Sequence, residues 1–108
     1  MKQDDRCAVI YNVTVKVDKA IAGAWLQWMQ EEQGPQQLAT ACFSEFTILR
    51  LLEVDEEEGP TFAVQYRAKD LSLYQRYMDE FADSFRRQSF NKWGRRFISF
   101  QTIMQVVN

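Results

Sequence analysis

No histidine occurs among the 108 residues. That absence excludes a Ser-His-Asp triad, a Cys-His pair, a His-ligated metal or haem, and the usual general base near neutral pH. Chemistry would fall to carboxylates, tyrosine, lysine, cysteine or a bound cofactor, and no two carboxylates share an element at a catalytic spacing. Cysteine is nearly as scarce. Cys7 and Cys42 cannot by themselves complete a four-ligand zinc site. With no other sign of secretion they read as reduced thiols, Cys42 a small buried one. Neither a metal nor a cofactor is expected. No apolar run approaches a membrane span. The first residues, "MKQDDRCAVIYNV", carry acid early, without a signal-type apolar core or cleavage site. The expectation is a cytoplasmic protein with no membrane partner. A formal charge of -2 and a pI near 5.1 give no attraction to nucleic acid. The basic residues Arg86, Arg87, Lys92, Arg95 and Arg96 read as solvated surface. The run "DEEEGP" lacks the spaced ligands of a calcium loop and reads as a hairpin tip.

What is present is apolar surface: 46% hydrophobic residues, 14% aromatic. That suffices for the core of one domain spanning 1–108. "CAVIYNVTVKV" alternates and is β-branched, so it reads as a strand near 8–17. Asp18 is read as the N-cap of a helix near 19–33, with Trp25, Trp28 and Met29 on its apolar stripe and Gly34-Pro35 breaking it. Strands follow near 42–54, with a bulge near Ser44 to Phe46, and near 61–69, where "FAVQYRAKD" alternates cleanly. Asp70 caps a helix near 71–91 whose stripe is Leu71, Tyr74, Tyr77, Met78, Phe81 and Phe85; Gly94 ends it. "FISFQTIMQVV" is a strand near 97–107.

The order β-α-β-β-α-β predicts an α+β, ferredoxin-like sandwich. It has a four-stranded antiparallel sheet with two helices on one face, and its first and third strands are expected to be central and mutually parallel. Val9, Val13, Phe62, Val64, Tyr66, Ile98 and Phe100 are expected to meet the helices. The bare face is then read as Ile10, Asn12, Thr14 and Lys16; Ile48, Arg50, Leu52 and Val54; Ala63, Gln65, Arg67 and Lys69; Ser99, Gln101, Ile103, Gln105 and Val107. This is too apolar for water alone and too polar for a dry core, because burying an unpaired polar group costs about 1–3 kcal/mol. Such a face fits a wet interface with a second subunit, or a cleft. Single-stranded RNA binders of this topology put stacking aromatics on the open face; here Phe62 and Tyr66 are expected to point inward, so no nucleic acid is expected.

"IYNVTVKVD", "WLQWMQEE", "LATACF", "LRLLE", "FAVQYRAKDL" and "RFISFQTIMQVV" together resemble a bacterial family of domains of unknown function, over roughly residues 8 to 107. Its members are short ferredoxin-like proteins of the dimeric α/β-barrel type. A histidine often follows the "EE" of the first helix in that family; Gln33 stands there in this chain. The wider class includes cofactor-free monooxygenases, haem degraders, isomerases and ligand-sensing domains, and fold does not choose among them. Haem degraders of this class need a histidine ligand, which is missing beside Asn12, Trp25 and Trp28.

The reading is a non-catalytic homodimer that binds a small molecule or a protein partner through its sheet face. The alternative is a cofactor-independent monooxygenase or isomerase. Ligand-binding or dimer-interface candidates are Asn12, Thr14, Arg50, Gln65, Arg67 and Gln101. Asn12 could orient a ligand carbonyl or bond across the sheet. Arg50 and Arg67 could grip an anionic ligand or form inter-subunit ion pairs with Glu45 or Glu53. No catalytic residue is assigned.

Overall fold

Val9, Tyr11, Val15 and Val17 are buried and alternate along the first strand. They anchor a sheet that the computed structural model, describing residues 7–108, shows in full. The leader reading therefore concerns residues lying largely outside the described ones. The order is β1 (Val9–Val17), α1 (Ala22–Trp28), a π turn (Met29–Gln33), α2 (Gly34–Leu38), β2 (Glu45–Arg50), β3 (Thr61–Ala68), α3 (Leu71–Glu80), α4 (Ala82–Trp93) and β4 (Phe97–Gln105). Strands lie in the order β2-β3-β1-β4, and every neighbouring pair is antiparallel. This is the expected ferredoxin-like sandwich.

β1 and β3 are central but not parallel. The crossover after β1 starts β2 in the direction of β1, and the hairpin then reverses β3. The helix starts also differ from expectation at one end. Asp70 does cap α3, accepting from the Leu73 amide at 3.1 Å. Asp18 instead holds a turn ahead of α1, accepting from Ala20 at 2.8 Å, and Ile21 takes the cap position. Gly34-Pro35 does not break the helix. The backbone widens into the π turn and resumes as α2, with Pro35 in its first turn. A proline ring collides with the carbonyl four residues back in a regular helix; a widened turn relieves that. Gly34 has a packing reason as well, since a Cβ there would overlap the Phe46 ring. The second helical segment divides at Phe81, where φ is -128°. Gly94, at φ +63°, ends α4 as expected.

Two strands have the opposite phase from the one expected. Phe46 and Ile48 lie opposite Tyr66 and Val64, on the helix side, and Arg50 opposite Phe62. Both alternating sets of β2 contain apolar residues, so its pattern alone could not choose. In β4, Phe97 pairs with Val17, Ser99 with Val15 and Gln101 with Val13, so these face the helices. Ile98 and Phe100 point outward, at 72% and 61% exposure. The phase is locked at both ends of β4: the Asp18 amide donates to the Arg96 carbonyl at 2.9 Å, and Val106 to that of Ala8 at 2.9 Å.

The core lies between the sheet and the helices. Tyr11, Phe43, Tyr66 and Tyr77 form its aromatic centre, with Phe43 and Tyr77 centroids 4.8 Å apart. Trp25 stacks on Phe62 at 5.3 Å. Both thiols are free, and Cys42 is buried. No helix among the described residues is long and apolar enough to cross a membrane.

Candidate functional site

The sheet presents two surfaces that could carry function. On the open face, Gln65 donates from Nε2 to Asn12 Oδ1 at 3.3 Å, and Asn12 donates from Nδ2 to Thr14 Oγ1 at 3.0 Å. These three form a polar ridge along the two central strands, and Arg67 shares their face, opposite Ile10 and Glu45. Ile98, Phe100 and Met104 flank the ridge on the β4 side and Leu49 on the β2 side, all exposed. Phe100 is the one aromatic on the open face of the four strands. The remaining two candidates do not belong to this face. Arg50 pairs within its own chain, donating from Nη2 to Glu56 Oε1 at 2.6 Å, rather than with Glu45 or Glu53. That exposed pair raises the Arg50 pKa, through its bond to Glu56, and lowers that of Glu56. Gln101 faces the helices.

There it joins a cavity of about 230 Å³ between the sheet, the α1–π–α2 segment and α4. The floor is ordered by the β1–β4 register: Tyr11, then Val13 beside Gln101, then Val15 beside Ser99, with Phe97 beyond. Trp25, Met29, Tyr77 and Phe85 supply apolar wall. Gln33, Gln37, Arg86 and Ser89 supply polar wall. Gln33 bridges the two helical segments: its Nε2 donates to the Phe85 carbonyl at 3.3 Å and to Ser89 Oγ at 3.2 Å, and Ser89 Oγ donates to Gln33 Oε1 at 3.3 Å. Gln37 is 5% exposed, and its Oε1 is buried without a hydrogen-bond partner. Such an atom usually costs about 1–3 kcal/mol unless something else satisfies it.

Arg86 stands at the wall half-exposed. It donates from Nη1 to Asp83 at 3.1 Å, one helical turn away. Burial pushes the Tyr11 hydroxyl above its ordinary pKa, and the Arg86 charge opposes that rise. Among the described residues lining the cavity, Arg86 is the only charged one. No cluster of three or more potential metal ligands occurs among the described residues.

None of Gln33, Gln37, Arg86 and Ser89 stood among the sequence candidates. A signal was present. The stripe Trp25, Met29 continues at steps of four into Gln33 and Gln37, and Tyr77, Phe81, Phe85 continues into Ser89. An apolar stripe that turns polar while still facing inward marks a wet cavity rather than a dry core.

A ferredoxin-like sandwich with a polar-walled cavity under its sheet is thus the architecture. The chain belongs to the family described as "Domain of unknown function (DUF4286)", whose model matches residues 8–107. Among solved structures it is similar to a dimeric ferredoxin-like protein from an uncultured marine organism. That neighbour is 11% identical, with a TM-score of 0.73, and the match covers 94% of this chain and 97% of that one. At this identity the likeness shows the fold alone. No curated protein matches the chain in sequence.

Proposed function

We propose that this chain is a homodimeric binding protein. Two copies pack open face to open face, and each holds a small molecule in the cavity on the helix side of its sheet. The observation carrying the binding reading is the cavity itself, with a polar wall of Gln33, Gln37, Arg86 and Ser89. The dimer reading draws on the exposed apolar rows beside a hydrogen-bonded polar ridge, the composition of a non-obligate interface. It also draws on the dimeric neighbour of the same fold. A ligand seated under the sheet, away from the partner, would leave the open face free for association. The sheet face itself is then the partner surface, not the ligand site.

Native mass spectrometry of minimally washed protein from its own host tests both parts. The expected species is two chains plus a small molecule. A ligand-free dimer removes the binding reading, and a monomer removes the dimer reading. Phe100→Glu should raise the dimer dissociation constant about 30- to 700-fold, because bringing an unpaired carboxylate into a desolvated face costs about 2–4 kcal/mol. Phe100 is exposed in the single chain, so the variant should melt with its monomer fold intact. An unchanged dissociation constant by analytical ultracentrifugation would put the interface elsewhere.

A further inference from the structure

We infer that the cavity takes a compact aromatic carboxylate, its carboxylate held by Arg86. This rests on the cavity reading above and adds the chemical class of the ligand. Two observations converge on it.

The first is charge. Arg86 is the only charged residue among the described ones lining the cavity, and no carboxylate lines it. Asp83, outside the lining, occupies one edge of the guanidinium through an exposed pair. Exposed pairs hold weakly, and the planar fork has donors left for a bidentate partner. An anion entering at Arg86 meets no opposing acid inside.

The second is size and wall chemistry. A dry 150 Å³ cavity holds benzene. A cavity of about 230 Å³ leaves room for a ring, a short acidic arm and one small substituent. Trp25, Tyr77, Phe85 and Phe97 offer faces and edges for ring packing. From Tyr11, near Arg86, to Val15 the strand advances about 13 Å at its ordinary rise, long enough for one ring and its arm and too short for a lipid tail.

The test is a calorimetric titration of the whole protein with two probes: phenylacetate and its methyl ester. The acid is expected to bind about ten- to a hundredfold more tightly than the ester. Arg86→Gln should erase that preference, and Arg86→Lys should keep part of it. Equal binding of acid and ester, unaltered in Arg86→Gln, overturns the anion assignment and leaves the cavity reading standing. Failure of both probes overturns the ligand class, and the native mass measurement then decides whether the cavity reading falls with it.

Discussion

Gly59→Ala should cost the protein about 3–6 kcal/mol, a large share of the 5–15 kcal/mol that stabilises a typical domain. Gly59 sits at φ +148°, a conformation that residues with a Cβ rarely adopt and that costs about 1–3 kcal/mol. Space is the second objection. A Cβ there would overlap the Val17 carbonyl oxygen and lie 2.8 Å from the Lys19 amide nitrogen. The acidic loop is drawn tightly onto the end of β1: Val17 donates to the Pro60 carbonyl at 3.0 Å and Lys19 to that of Glu58 at 2.9 Å. Relieving the overlap means lifting the loop and losing those bonds, each worth about 1 kcal/mol. Gly94 is the control. Its φ is also positive, at +63°, but a Cβ there meets nothing within 4 Å. With ψ at -130° Gly94 lies outside the left-handed helical basin, so Gly94→Ala should cost that backbone strain alone, about 1–3 kcal/mol. Urea denaturation of both variants checks the contrast, and equal losses would mean that the loop is not held as described.

Alkaline pH should unfold the protein earlier than its carboxylates and lysines alone would predict. Burial pushes the Tyr66 and Tyr77 hydroxyls far above the ordinary value of 10.0, and Tyr11 rises for the same reason. In each case desolvation is the leading cause, and neighbouring tyrosines add to it. Their folded-state values lie above the unfolded one. The stability they contribute is complete below pH 10.0 and drains away as the pH rises from there toward the folded values, because the unfolded chain loses those protons first. One pH unit above that point, Tyr66 and Tyr77 each remove about 1.4 kcal/mol, about 3 kcal/mol together, and Tyr11 acts in the same direction. Thermal melts across this range should fall steeply, and Tyr66→Phe should flatten the fall by somewhat less than half. A variant that tracks the wild type would show that its buried hydroxyl is not the source.

The fold was legible because its punctuation is local. Asp70, Gly94 and the clean alternation of β3 each declare themselves within a few residues, and the order of elements then leaves few topologies. The faces of β2 and β4 were not legible by the same means. In β4, Ile98 and Phe100 look like core because they are the apolar set, yet they lie outside, and the more polar set lines the cavity. Hydrophobic phase assumes that the inside is dry and the outside wet. This protein departs from both halves of that assumption in one strand. Asn12, Thr14, Gln65 and Arg67 did fall on one face, since β1 and β3 alternate without ambiguity. Arg50 and Gln101 did not, because their strands are the ambiguous ones. The residues of the cavity wall lay beyond reach for another reason. Gln33 and Ser89 are 56 positions apart, and only the packing of two helical segments brings them together.

The π turn at Met29–Gln33 decides how the geometry of the cavity responds to a count of residues. An α-helix advances about 100° per residue. A π turn holds about one residue more than a regular turn, so it takes up an extra residue without re-aiming the helix beyond it. Deleting one residue there would restore a regular helix and leave Gln37 on the wall, whereas closing the same residues as a regular helix would swing Gln37 off it by about 100°. The turn is thus the slack in the chain: a single-residue gap between Trp28 and Pro35 leaves the chamber's chemistry intact, while the same gap within Ala22–Trp28 followed by an unchanged turn would re-aim its wall.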